Sequence, residues 1–231
     1  MTLSDELKQY LSALGCHTVG FADLRSLPKE SRQNFDCGVL IGLFFTREAM
    51  LENMNGLPRR YYDEHDPMTR RLKELANLTA DFLAGKGYKA WPKITSTVVQ
   101  DDDYRSILPH KTVATLAGVG WIGRCSTLVT REAGSALRLV VVLTNAPLEC
   151  GVPITKSMCP PNCRVCADVC PGKAHRGGQW EAGVDRDNFY DAHACRAAAR
   201  ARAKELLGIE ETMCGLCIAN CPFTKRGLGY E

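Results

Sequence analysis

The chain has 231 residues, 45% of them hydrophobic, and a net charge of +3. This is enough for one large domain or two modest ones with a sizeable core. A balance so close to neutral implies neither a nucleic-acid nor a membrane partner. The outlying feature is twelve cysteines. In a secreted chain they would suggest disulfides. However, the opening MTLSDELKQYLSALG reads as an amphipathic helix with acidic residues, without a basic start or an apolar signal run. No apolar stretch approaches the roughly 18 to 20 residues of a membrane span. A cytoplasmic, reducing location is expected, where clustered cysteine means metal or catalysis.

In chain order, Leu3, Leu7, Leu11 and Leu14 share a helical face, with Ser4 or Asp5 near the start and Gly15 as the stop. Residues 17–24 read as a strand. Residues 38–45 (GVLIGLFF) read as a strand covered on both faces. Residues 51–67 are polar and read as loop. Residues 68–84 form the clearest helix, with Leu72, Leu75, Leu78, Phe82 and Leu83 at three- and four-residue spacing. Residues 88–97 read as extended, with Pro92 favouring an edge or a bend. A short helix is expected over 111–117. Residues 126–130 and 137–144, separated by REAGSA, read as a hairpin. Residues 191–207 read as helix, carrying a basic stripe of Arg196, Arg200, Arg202 and Lys204 that is either solvated or docks an acidic electron donor. A domain boundary is expected near 145–155, dividing the chain into 1–150 and 151–231.

Most of the chemistry lies in the second part. Cys159, Cys163, Cys166 and Cys170 precede Pro171; Cys195 stands alone; Cys214, Cys217 and Cys221 precede Pro222. Eight cysteines in two Cys-Pro motifs match the spacing of two-cluster ferredoxins, in which the cysteine of each Cys-Pro serves the other motif's cluster. Two 4Fe–4S clusters are expected. Cys159, Cys163, Cys166 and Cys221 would hold the first, and Cys170, Cys195, Cys214 and Cys217 the second. The three-residue gap before Cys163 departs from the usual two and leaves Cys150 as an alternative to Cys159. Zinc at the two C-x2-C pairs is a competing reading that leaves four cysteines and both prolines unused; disulfides are another. Cys16 and Cys37 read as small buried hydrophobes.

Gly118-Val-Gly120-Trp-Ile-Gly123 matches the G-x-G-x-x-G pattern. It follows a helix and opens a strand, the reverse of a dinucleotide site, so the expectation is a tight turn that lets backbone pack closely, against protein or against a flat ligand. His110 reads as a helix-entry residue or a pocket acid.

LAGVGWIGRCSTLV, over 116–129, resembles the AGLGWIGKNTLL segment of epoxyqueuosine reductases, relatives of the reductive dehalogenases. ALGCHTVGFADL and the four–one–three cysteine arrangement are similar to theirs as well, and the likeness extends over most of 10–225. The resemblance implies an α+β protein: an N-terminal nitroreductase-related α/β domain that binds cobalamin, and a C-terminal ferredoxin-like domain with two 4Fe–4S clusters. The clusters would take single electrons from a low-potential donor, ferredoxin or flavodoxin, and reduce the corrinoid for reduction of a small-molecule substrate. A flavin is the second choice of cofactor. Gly120, Trp121, Ile122, Gly123 and Cys125 are the implied cofactor-binding residues. Where the family carries V-D-T-G-P with a proton-donating Asp, this chain has Asp103-Tyr104-Arg105-Ser106-Ile107. Tyr104 or Asp103 is therefore the candidate acid, Tyr being the donor that reductive dehalogenases use. The family's Lys-Asn after GWIG is Arg124-Cys125 here, and this sequence ends nine residues after Pro222, where the family continues into helical repeats that help hold tRNA. On that ground tRNA is not the expected substrate. A non-catalytic electron carrier, or a protein that reactivates a corrinoid protein, is the alternative.

Overall fold

A computed structural model describes residues 1–56, 58–94 and 100–230. The chain divides into two compact units that alternate along the sequence. The first comprises 1–43, 68–120 and 138–154; the second comprises 44–67, 121–137 and 155–231. One crossing, after Ile154, falls in the expected boundary region. The others place 44–67 and 121–137 with the cysteine-rich segment, which differs from two consecutive blocks.

The first unit is built on a sheet of order β1-β2-β6-β3. Here β1 is Thr18–Asp23, β2 Cys37–Phe44, β3 Ala90–Lys93 and β6 Leu137–Thr144. β1 runs antiparallel to β2, with Gly20 opposite Leu40, and β3 antiparallel to β6, with Pro92 opposite Val142. Pro92 is tolerated because β3 is an edge strand, where its missing N–H need not join a ladder. The expected extension over 88–97 is a strand at 90–93; residues 95–97 lie outside the described residues.

Alternation along the strands sets the layers. Val39, Ile41 and Leu43 of β2 and Val140 and Val142 of β6 share a core with Leu7 and Leu11 of α1 (Leu3–Ala13). Leu72, Leu75, Ala76 and Leu83 of α3 (Arg59–Gly85) complete it. The start of α1 is set by Thr2, two residues before the nearer of the expected signals, Ser4. Its hydroxyl accepts from the Asp5 N–H while the Asp5 carboxylate accepts from the Thr2 N–H, a capping box. The other sheet face is glycine-lined. A Cβ on Gly38 would come within 2.9 Å of Val113, in the helix α4 (His110–Leu116), and one on Gly20 would collide with Val119. The expected double cover of β2 is observed, since all its residues but the last are buried.

Two expectations are corrected. Residues 51–67 are mostly helical: α2 spans Arg47–Met54, capped by the Thr46 hydroxyl, and α3 begins at Arg59, nine residues before the expected start. Polar composition marked a solvated face there, and Pro67 sits inside α3. The 126–144 hairpin does not form. β5 (Leu128–Val129) pairs with β4 (Trp121–Ile122), and β6 lies between β2 and β3. The REAGSA turn is committed elsewhere, because the Ser135 N–H donates to Thr224 Oγ1 at 3.0 Å.

The second unit adds α5 (Val165–Asp168), a 3-10 turn at Arg186–Asn188, α6 (Ala192–Leu207), α7 (Leu216–Ala219) and α8 (Pro222–Leu228). Asp191 caps α6, its side chain accepting from the Ala194 N–H, and Gly208 ends it in the left-handed conformation. Among the described residues, no helix is long and apolar enough to cross a membrane.

Candidate functional site

Each Cys-Pro cysteine sits at a helix junction: Cys170 just after α5, and Cys221 as the residue capping α8, whose first residue is Pro222. The chain thereby brings the thiols onto two cavities. Cys159, Cys163, Cys166 and Cys221 line one, with Gly123, Val129 and Phe223 around them. Cys170, Cys195 and Cys214 line the other, about 160 Å3 in volume. Cys217 faces both. The first cavity is tighter, about 20 Å3. Among the described residues, no three His, Cys, Asp or Glu side chains converge as a single bound ion would require. The described cysteines are all free of disulfide bonds.

Cys166 and Cys221 are buried and the other six thiols are half-buried. Burial, then the neighbouring sulfurs, pushes Cys166 and Cys221 up to about 12 and raises Cys217 well above the ordinary range. Backbone N–H groups oppose this: those of Phe223 and Thr224 on Cys221, and that of Leu216 on Cys214. The Ala174 N–H reaches Cys170 Sγ at 3.4 Å.

Four supporting contacts were not anticipated. Asn53, fully buried on α2, donates from Nδ2 to the Cys214 carbonyl at 3.0 Å and faces Arg202 at 3.5 Å. Arg124 holds two loops, donating to the Gly177 carbonyl at 2.9 Å and the Pro161 carbonyl at 2.6 Å. The Tyr190 hydroxyl is hydrogen-bonded to Cys195, and burial raises its pKa. His175 lines the second cavity 5.6 Å from the Tyr190 ring, with burial lowering its pKa. The Cys-Pro-x3-His spacing could have flagged His175; nothing local in sequence marks Asn53.

Of the expected cofactor-binding residues, Gly120 closes the first unit and the others lie in the second. Trp121 is 1% exposed and edge-on to Phe223 at 4.9 Å; Ile122 is buried in the β4–β5 pair. A Cβ on Gly123 would stand 3.2 Å from Cys125 Sγ and 3.4 Å from Cys159 Sγ. Cys125 is therefore a sixth thiol on the first cavity, and it lines the second as well. Its Sγ lies 2.8 Å from Thr127 Oγ1. Gly118 ends α4 with φ +70, and a Cβ there would stand 2.5 Å from the Val152 carbonyl oxygen. The G-x-G-x-x-G match is thus a helix stop and a close packing point, as its order of elements implied.

Tyr104 and Asp103 lie in the first unit, at the tip of a loop closed by an isolated bridge between Gln100 and Ser106. The Asp101 carboxylate organises it, accepting from the Asp103 and Arg105 N–H groups at 3.1 and 2.7 Å. Tyr104 has φ +58, an uncommon conformation for a residue with a side chain. Cys150 lies in the first unit beside Cys37, with the sulfurs 3.8 Å apart, whereas Cys159 shares the cavity of Cys163, Cys166 and Cys221. His110 bridges backbone, with Nε2 2.9 Å from the Lys93 carbonyl and Nδ1 3.1 Å from that of Leu139. On α6, Arg202 turns toward Asn53 while Arg200 and Lys204 meet Glu210, so the basic stripe is divided.

No family model matches the chain. A curated epoxyqueuosine reductase from Lactococcus garvieae is 26% identical over 221 residues, 90% of this chain and 59% of that protein. A crystal structure of epoxyqueuosine reductase with a tRNA-Tyr epoxyqueuosine-modified stem loop superposes with TM-score 0.64 at 21% identity, over 96% of this chain and 65% of that one. A catabolic reductive dehalogenase superposes with TM-score 0.66 at 20% identity, over 94% of this chain and 31% of that one. Curated homologues of this chain are thus epoxyqueuosine reductases, and its structural neighbours are epoxyqueuosine reductases and reductive dehalogenases, the family that its GWIG and cysteine motifs resemble. The chain spans 32% to 59% of the length of the first four of these relatives.

Proposed function

We propose that this chain is an iron–sulfur oxidoreductase in which two 4Fe–4S clusters relay single electrons to a corrinoid that reduces a small-molecule substrate. Cys159, Cys163, Cys166 and Cys221 hold the first cluster; Cys170, Cys195, Cys214 and Cys217 hold the second. The observation that carries this is the crossed grouping: each Cys-Pro cysteine lies on the cavity of the other motif. The donor set fits, since soft thiolates suit iron–sulfur clusters, and Gly123 leaves room where a side chain would meet the Cys159 sulfur. When bound, the clusters supply one-electron transfer at potentials set by burial and hydrogen bonding.

The chain's own groups have definable tasks. The Tyr190 hydroxyl and the N–H groups of Ala174, Leu216, Phe223 and Thr224 stabilise charge on the sulfurs they face. Tyr104 serves as proton donor to substrate. The φ +58 of Tyr104 is the kind of local strain that collects at working sites. Asp101 fixes the loop and is committed to it. A second reading, an electron carrier or corrinoid-reactivating protein, keeps the clusters and binds no substrate; it is favoured by the replacement of the family's V-D-T-G-P segment by Asp103-Tyr104-Arg105-Ser106-Ile107.

Anaerobic reconstitution tests the assignment: about eight iron and eight sulfide per chain are expected for two clusters. Zinc as the sole metal would overturn it. Absorbance titration with cobalamin, and separately with flavins, tests the rest; binding of neither would sink the corrinoid reading. Tyr104→Phe should keep corrinoid binding and lose turnover, and unchanged turnover would remove Tyr104 from the mechanism.

A further inference from the structure

We propose that Cys37 and Cys150 form a reversible dithiol–disulfide pair that pins the strap from Glu149 to Ile154 onto the sheet. The inference rests on the first unit alone and does not depend on the cluster reading. The two sulfurs are 3.8 Å apart although 113 positions separate them in the chain. Cys37 opens β2 and is 5% exposed; Cys150 is solvent-exposed. This asymmetry suits an accessible thiol that reacts first and a buried one that resolves.

The strap already lies close against its unit. The Glu149 N–H donates to Ser4 Oγ at 2.7 Å, that of Gly151 to the Phe21 carbonyl at 2.9 Å and that of Ile154 to the Thr115 carbonyl at 2.9 Å. A Cβ on Gly151 would collide with the Ala117 carbonyl, and one on Gly118 would meet that of Val152. The strap therefore has one snug seat, over the end of α4. A covalent link at Cys150 would hold it there. These bonds are exposed enough to open locally, as Val152 is 84% exposed.

The chemistry balances with a low-molecular-weight disulfide as oxidant. The Cys150 thiolate attacks one sulfur of oxidised glutathione, forming a mixed disulfide and releasing one glutathione thiolate. The Cys37 thiolate then attacks the Cys150 sulfur and releases the second. Two protein thiols are oxidised, one glutathione disulfide is reduced to two thiols, and the two protons pass to the leaving thiolates. Burial raises the Cys150 pKa and Asp23 adds to it, while the Cys37 hydrogen bond and then Arg25 act in the other direction. Burial pushes the Cys37 thiol up, which slows its attack on the mixed disulfide.

The test treats the full chain, anaerobically prepared with its iron intact, with oxidised glutathione, then alkylates free thiols and maps peptides by mass. A Cys37–Cys150 crosslink is expected, reversed by dithiothreitol and absent from Cys150→Ser. Cys37→Ser should instead hold a stable glutathione adduct at Cys150. Hydrogen exchange at the Gly151 and Ile154 amides should slow about tenfold on oxidation of the wild-type chain only. Both thiols remaining free, or a glutathione adduct persisting at Cys150 in the wild-type chain, would overturn the pair. A crosslink that leaves exchange unchanged would overturn the pinning. Iron content, measured in the same samples, reports on the cluster reading separately.

Discussion

The two units bury different things. The first packs Leu, Ile, Val and Phe side chains from α1, α3 and both faces of one sheet. In the second, many of the buried residues are small, among them Ala133, Ala136, Ala174, Ala199, Ala203 and Ala219, and thiols take the place of large aliphatics. Apolar burial contributes about 25 cal/mol per Å2, so the first unit has the larger share of this driving force. A region poor in core commonly draws its folding energy from bound metal. Stability in this chain is therefore expected to come from two sources, one in each unit.

Metal removal should separate them most sharply. Stripping iron with a chelator under reducing conditions should abolish hydrogen-exchange protection over α5, α6 and α7 while the β1, β2 and β6 amides stay protected. Cys170→Ser should do the same by losing a ligand from the second cavity. Uniform loss of protection across both units would contradict the division. Retained protection over α5–α7 in iron-free protein would show that the second unit folds without metal.

The first unit was the more legible in sequence because its signals are periodic. Leu7 and Leu11, and Leu72 and Leu75, each announce a helical face, and the unbroken apolar run at 38–45 announces a strand covered on both sides. The cysteine spacing marked eight candidate ligands as a pattern, though spacing alone left Cys150 competing with Cys159. The structure separates them by seating Cys150 against Cys37. What stayed illegible depends on distant pairing. The 126–144 hairpin failed because Ser135 is held by Thr224, a partner 89 positions away. Asn53 is buried because it meets the Cys214 carbonyl, 161 positions away, and local composition gave α2 the look of a loop.

Truncating the core of the first unit is the converse experiment. Leu75 is fully buried in the α3–sheet core, so Leu75→Ala should cost about 2–5 kcal/mol in that unit. Chemical denaturation of reconstituted protein should show the lower midpoint in a probe of the sheet, with iron retained at mild denaturant. Simultaneous loss of iron would mean that the second unit draws on this core.

A polar substitution of intermediate size probes the second unit. Asn53→Ala removes the donor to the Cys214 carbonyl and strands that buried acceptor, at a cost of about 1–3 kcal/mol. Iron bound at the second cavity should become easier to chelate than iron at the first. Asn53→Asp should not rescue it, since a carboxylate cannot donate to a carbonyl. Equal lability at both cavities would assign Asn53 a general packing role.

The smallest effect should come from pH, and it belongs to the first unit. His110 is held between the Lys93 and Leu139 carbonyls, joining β3 and β6. Burial lowers its pKa below the ordinary 6.5, outweighing the two carbonyls that favour the proton. The unfolded chain then takes up this proton at higher pH than the native chain does. The resulting stability is fully present above about 6.5 and is lost as the pH falls through the folded value. The denaturation midpoint of the sheet should therefore decline between neutral and mildly acidic pH, and His110→Asn should flatten that decline while lowering the midpoint at neutral pH. A decline that is the same in both chains would show that the proton is taken up elsewhere, and that the His110 contacts to β3 and β6 serve packing alone.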